Sequence, residues 1–214
     1  MISKFIIALL ISIPALHAQQ DSKASEILQK VEAKYDSYKT MKVLFEQKIE
    51  NPESDLEQQS EGTLYLAGRK YKLITEGQEV ISDSKKVYLY FTEENELIID
   101  AADPDENAFT PSDLFSLYKK DFKYAYAGSP VIDGKKMHVI LFSPKDPDQY
   151  DFHSIKLYVN AGNYSIEQAE LSDNMANKVT YIIRKVEPNI KLSSDFFRFD
   201  PSKYKDIIIT DNTE

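Results

Sequence analysis

Between Met41 and Thr92 the chain repeats one device: short runs with apolar residues at every second position, cut by turn-forming residues. Val43, Phe45 and Ile49 keep that spacing in residues 41–50, and Gly62, Leu64 and Leu66 keep it in 57–67. A period of two places one face of each run on an apolar surface, which is the signature of a half-buried strand rather than a helix. Pro52 and Asp55 break the first run from the second, Gly68 turns the second into 70–76, and Gly77 leads to 79–82. A turn at Asp83-Ser84-Lys85-Lys86 precedes 87–92, where Val87, Leu89 and Phe91 alternate with Tyr88 and Tyr90. Both faces of that strand are apolar or aromatic, as a strand covered on two sides requires. Residues 97–100 pair back across Glu93–Glu96.

The second half has the same character, with strands at 122–127, 137–142 after Asp133-Gly134, 152–160 after a Pro144/Pro147 loop, 164–171 and 178–186, and a short one at 207–210. Turns near every tenth residue, with no long intervening helix, predict antiparallel neighbours. About ten to twelve strands result, and a sheet of that size must close, curl or split. The high aromatic content, 14 Tyr and 11 Phe, suits strands as well.

Two helices are predicted. Ser22 or Ser25 can cap one that runs to about Tyr38, with Ile27, Leu28, Val31, Tyr35 and Tyr38 on one stripe and Glu26, Lys30, Glu32 and Lys34 facing water. The stripe suits a helix packed on the sheet, with a movable lid as the alternative. The second opens at Thr110-Pro111-Ser112-Asp113, with Thr as cap and Pro at the first position, and runs to about Lys120 with Leu114, Phe115, Leu117 and Tyr118 apolar. It could plug one end of a curved sheet. Residues 193–197 are expected to form one helical turn.

The first 18 residues carry Lys4, the apolar run 5–13, Pro14 and a small residue at Ala18. That is the pattern of a cleaved secretory signal, since a spanning helix needs roughly 20 apolar residues. Cleavage after Ala18 leaves 19–214 as one expected domain. Loss of Lys4 leaves 25 basic residues against 35 acidic, a net charge of −10. Such a balance argues against nucleic acid and against an anionic membrane surface. There is no cysteine, hence neither disulfides nor thiolate chemistry.

No catalytic constellation stands out. His17 leaves with the signal, and His138 and His153 sit singly on strands without metal spacing. The Asp103/Asp105 and Asp146/Asp148 pairs lack the glycine and distal glutamate of a calcium loop. Neither a Gly-rich phosphate loop nor a Ser-centred elbow is present. No cofactor and no metal are expected.

An amphipathic N-terminal helix is followed by Phe45-Glu46-Gln47, a polar loop, Glu61-Gly62-Thr63-Leu64-Tyr65, Arg69-Lys70-Tyr71-Lys72-Leu73 and the run 80–90, with Phe197-Arg198-Phe199-Asp200-Pro201 near the end. In this order the motifs resemble the periplasmic outer-membrane lipoprotein carrier family, LolA, over essentially the whole chain after the signal. The resemblance implies a mainly β (α+β) fold: a strongly curved, unclosed antiparallel barrel, with the N-terminal and mid-chain helices covering a hydrophobic cavity. It further implies a periplasmic, non-enzymatic, monomeric carrier that takes acylated lipoproteins from an inner-membrane lipoprotein-releasing transporter to the outer membrane, with an outer-membrane acceptor as a further candidate partner.

The residues expected to line an acyl-chain cavity are Val43, Phe45, Leu64, Leu66, Tyr71, Leu73, Leu89 and Phe91, with Leu28, Val31, Leu114 and Leu117 from the helices. All of these suit an ordinary packed core equally well. Arg69 matches the family's arginine that holds the empty cavity closed, so the resemblance makes it a lid latch; an exposed charge in a hairpin turn is the plainer alternative. The family usually has Arg-Pro where this chain has Arg69-Lys70, and Asp-Gly-Lys where it has Asp83-Ser84-Lys85. A lipid- or acyl-peptide-binding sensor of the cell envelope on the same fold is the second reading, and a secreted hydrolase the third.

Overall fold

The computed structural model describes residues 21–102, 111–116 and 122–213. The expected signal at 1–18, Thr110, Leu117 and Tyr118 lie outside the described residues.

Asp21, rather than Ser22 or Ser25, caps the first helix, α1 (Ser22–Tyr35): its Oδ1 accepts from the backbone N–H of Lys23 at 2.8 Å and of Ala24 at 3.3 Å. A carboxylate at this position also meets the positive end of the helix. Ala24, Ile27, Leu28, Val31 and Tyr35 form the buried stripe. The helix stops short of Tyr38 because Ser37 Oγ donates to the Lys34 carbonyl at 2.6 Å, offering the backbone a local alternative to the next turn. Tyr38 still packs edge-on against Tyr35, with ring centroids 5.7 Å apart.

Among the described residues thirteen strands follow in one sheet. The first meander is β1 (Met41–Asn51), β2 (Leu56–Ala67), β3 (Lys70–Thr75), β4 (Gln78–Ser82), β5 (Lys86–Phe91) and β6 (Glu96–Ala101). A 3-10 turn, Pro111–Phe115, occupies the described part of the second predicted helix, whose remainder to Lys120 lies outside the described residues. The second meander is β7 (Phe122–Gly128), β8 (Val131–Ile132), β9 (Lys135–Pro144), β10 (Phe152–Asn160), β11 (Ile166–Asp173) and β12 (Lys178–Pro188). The chain finishes with β13 (Ile208–Asp211). Spatial order runs β13-β6-β5-β4-β3-β2-β1-β12-β11-β10-β9-β7, with β8 beside β9, so the sheet has two ends and does not close. The two meanders join where β1 pairs with β12.

Three further features depart from the sequence reading. Strand β8 is only two residues long and follows Pro130, too short to show an alternation. Strand β13 runs parallel to β6, not antiparallel. Parallel neighbours cannot be joined by a tight turn, and the chain returns beside β6 only after the second meander, crossing from β12 through residues 189–207. They make consecutive turns, Phe196 N–H to the Ser193 carbonyl and Arg198 N–H to the Asp195 carbonyl, in place of a helical turn.

The sheet buries both faces, by different means. On the concave face α1 and the turn at Leu114 and Phe115 form one core with residues of β1, β2, β3, β7, β9, β10 and β11. On the convex face the crossover segment lays Phe197 and Phe199 over Ile81, Tyr90 and Leu97. It starts from a fixed point, since Asn189 N–H donates to the Thr40 carbonyl at 2.6 Å and Thr40 Oγ1 to the Ile190 carbonyl at 2.7 Å. Ring contacts at 4.8 Å between Phe199 and Tyr204 and 5.2 Å between Phe199 and Tyr90 continue the packing. The alternation in β5 now has an explanation: Tyr88 and Tyr90 lie under the crossover, and Leu89 and Phe91 face the concave side.

Candidate functional site

The strand registers align one apolar row across the concave face. Val186 of β12 pairs with Val43, Val43 with Leu64, Leu64 with Leu73, Leu73 with Val80, Val80 with Leu89, and Leu89 with Ile98. Directly paired residues share a face, so this row is a continuous strip seven strands wide. Its burial is graded. Val43 is 0% exposed and Leu64 3%, both under the cover of α1. From β3 outward Leu73, Val80, Leu89 and Ile98 are half-buried. Val87 and Phe91, also half-buried, flank the outer part of the strip on the same face.

The residues predicted to line a cavity divide along that gradient. Leu28, Val31, Val43, Phe45, Leu64, Leu66, Tyr71 and Leu114 lie together in the main core, and Leu73 packs against it. Leu89 and Phe91 belong to neither apolar cluster and form the open part of the strip. Leu117 lies outside the described residues. Arg69 is exposed in the β2–β3 hairpin turn. Val80, Val87 and Ile98 were missed by sequence reasoning. For Ile98 the reason is plain: Leu97, Ile98 and Ile99 are consecutive, and alternation cannot choose a face among them.

The cover over the buried half is held by polar contacts at both ends. At its start Asp21 Oδ2 accepts from the Tyr126 N–H of β7 at 3.0 Å. This contact, with the two capping N–H groups, holds the Asp21 carboxyl below its usual range. At its end Lys34 Nζ donates to the Asn163 carbonyl at 3.0 Å, and the Tyr35 hydroxyl accepts from the Ile166 N–H at 2.9 Å. Burial pushes the Tyr35 phenol up, so it stays neutral. Between them, under the middle of α1, His138 lies 3.4 Å from the Tyr126 hydroxyl and stacks on Tyr164. Burial, and then Lys23, Lys136 and Lys30, lower its pKa. Among the described residues no group of three His, Asp or Glu side chains could hold a metal ion. No described helix is long and apolar enough to cross a membrane.

The concave sheet is thus apolar and half covered, and comparison with known proteins gives the chain a family. The model of the outer membrane lipoprotein carrier protein LolA matches residues 36–200, and the chain belongs to that family. An uncharacterized protein of Methanocaldococcus jannaschii is 25% identical over 195 residues, covering 85% of this chain and 52% of the relative. The chain thus spans about half the length of that curated relative. Among solved structures, an uncharacterized conserved protein from Thermus thermophilus superposes with a TM-score of 0.56 at 13% identity, over 89% of this chain and 100% of that one. A DUF1329 family protein from Desulfovibrio piger gives 0.50 at 10% identity, over 87% and 100%. At such identities the two structures speak to the fold alone.

Proposed function

We propose that the protein is a periplasmic, non-enzymatic carrier that receives the acyl chains of lipoproteins on the concave strip and moves them from the inner to the outer membrane. The observation that carries this reading is the graded row from Val43 to Ile98, an apolar surface continuous with the core yet open over its outer four strands. Removal of hydrocarbon from water yields about 0.8 kcal/mol per methylene, so one chain laid on Leu73, Val80, Leu89 and Ile98 outweighs small rearrangements of the cover. A strip with few hydrogen-bonding groups sets no directional demand and suits ligands of varied shape. Delivery then depends on an acceptor with higher affinity, because binding alone gives no direction.

On this reading an exported chain of residues 19–214 is loaded by an inner-membrane transporter and discharged at the outer membrane. Arg69, in the β2–β3 turn, is the lid latch. Mass spectrometry of the protein purified from its native envelope tests the first point: an acylated protein or lipid is expected to co-purify, and Leu89→Asp is expected to lose it. Empty wild-type protein, or a Leu89→Asp variant that retains the ligand, overturns the reading. For the latch, Arg69→Leu should bind acyl chains and fail to release them; unchanged hand-over would remove Arg69 from the mechanism.

A further inference from the structure

The strand registers sort the charges of the first meander by face. Its strands carry Lys42, Lys48, Lys70, Lys72 and Lys86, and each alternates with the residues of the apolar row, so all of them lie on the convex face. Lys42 and Lys72 both pair with Tyr65, and Lys70 pairs with Ala67; Tyr65 and Ala67 pack against the convex cluster. The concave face of β1 to β6 therefore holds no cation. Its charged side chains are Glu96 and Asp100, both on the outermost of these strands, β6.

Beside the apolar row the concave face turns polar without becoming charged. Two residues along from Leu73 and Val80, a step of about 7 Å, Thr75 and Gln78 pair directly with each other. Both are half-buried, and among the described residues neither side chain has a hydrogen-bond partner. On β2 the neighbour of Thr75 is Gly62, whose missing side chain leaves room for the Phe45 ring. One step further Ser60 pairs with Gln47, and Gln47 with Tyr181 of β12. Ser60 Oγ donates to Gln47 Oε1 at 3.5 Å, and Gln47 Nε2 donates to the Tyr181 hydroxyl at 3.2 Å. Burial pushes the Tyr181 phenol up, so it too stays neutral.

This shelf can donate and accept hydrogen bonds but cannot balance a charge. A half-buried amide or hydroxyl without a partner gains from a ligand that supplies a carbonyl. An anionic head finds no cation on this face. It also meets Glu76 in the β3–β4 turn and Glu93 and Glu94 in the β5–β6 turn, exposed carboxylates just past the shelf that repel it.

We infer that Thr75 and Gln78, backed by Ser60 and Gln47, take the uncharged ester or amide linkage of an acyl amphiphile lying on the strip and turn anionic heads away. The inference rests on the carrier reading, which supplies the chain, and adds the chemistry of the head. Gln78 Nε2 and the Thr75 hydroxyl donate to the carbonyl oxygen of the linkage, and Gln78 Oε1 accepts from an amide N–H or a hydroxyl beside it.

Titration calorimetry of the purified protein with 1-decanoylglycerol and decyl phosphate tests this, each probe kept below its micellar concentration and at low salt, because the chains match and only the heads differ. The ester is expected to bind roughly ten-fold tighter. The whole chain, at −9, disfavours any anion, so variants must locate the preference. Thr75→Val/Gln78→Leu removes the polar atoms at similar size and, with its circular dichroism unchanged, should lose most of the ratio. Gln78→Lys places a cation beside the strip and should reverse it. Equal affinities in the wild type, or a ratio that survives in both variants, overturns the shelf; if Leu89→Asp then abolishes binding of both probes, the strip stands without it. Wild-type protein that binds neither probe overturns the strip and the shelf together.

Discussion

The Tyr35 hydroxyl accepts a hydrogen bond from the Ile166 backbone N–H at 2.9 Å, and with the Lys34–Asn163 contact it seats the end of α1 on the β10–β11 corner. Tyr35→Phe keeps the ring and leaves a buried N–H without its partner, at a cost of roughly 1–3 kcal/mol. Chemical denaturation should show the loss, and hydrogen exchange should show Ile166 opening first. Alkaline pH gives a second readout. The folded state holds the phenol above its ordinary 10.0, whereas the unfolded chain ionises there, so wild-type stability falls as pH rises beyond about 10. The Phe variant should lack that part of the alkaline slope.

His138 predicts the opposite arm. Its folded pKa lies below the ordinary 6.5, so on acidification the unfolded chain takes up a proton that the folded chain resists. Stability is therefore full above 6.5 and declines as pH falls towards the folded value. The groups facing it are Lys23, Glu26 and Lys30 on α1, Tyr126 on β7, Tyr164 beyond β10 and Lys136 on its own strand. Melting temperatures of wild type and His138→Gln, compared from roughly pH 7 to pH 5, should converge if this is right. A wild-type slope that survives in the variant refutes it.

Gly62 faces Phe45 across β1 and β2, and a Cβ built on it would overlap the Phe45 ring. That ring is 7% exposed and packs on Tyr181 at 5.8 Å, so it has nowhere easy to go. Gly62→Ala should cost roughly 1–3 kcal/mol through overpacking. Phe45→Leu in the same chain should recover part of the loss, giving a coupling energy that a double-mutant cycle can measure.

Ser84 occupies the left-handed region, φ 73°, in the β4–β5 turn, at the position where the family usually has glycine. A side chain costs roughly 1–2 kcal/mol in that conformation, partly offset by the entropy that glycine loses on folding. Ser84→Gly is expected to raise stability by about 0.5–1 kcal/mol, read from the denaturation midpoint at constant slope.

Most of the strand plan was legible because alternation and turn chemistry are local. Asp133-Gly134 illustrates it: both residues adopt positive φ, 49° and 75°, as a tight hairpin demands. The helix cap was expected at Ser22 or Ser25, one or four residues late, because Asp and Ser are near-equal caps, and what favours Asp21 is the Tyr126 N–H, far away in the chain. The parallel β13 was illegible for a related reason, since pairing direction follows from the path of residues 189–207, which have no periodicity of their own. In the site, periodicity found Leu89 and Phe91 but could not distinguish them from Val43 and Phe45. Which part of a strip lies under a helix depends on the strand order, and that order becomes visible only in three dimensions.

The pairing of β1 with β12 sets when the molecule can become whole. Synthesis proceeds from the N-terminus, and the first meander can form from neighbouring hairpins as it emerges. Its innermost long strand must nevertheless wait, with one edge unpaired, until Pro188 has been made. During that interval an apolar concave face and a bare strand edge are presented together, the combination that invites wrong partners. The molecule's assembly is therefore expected to be slow, dominated by its most distant contact, and dependent on whatever keeps the nascent chain apart from others like it.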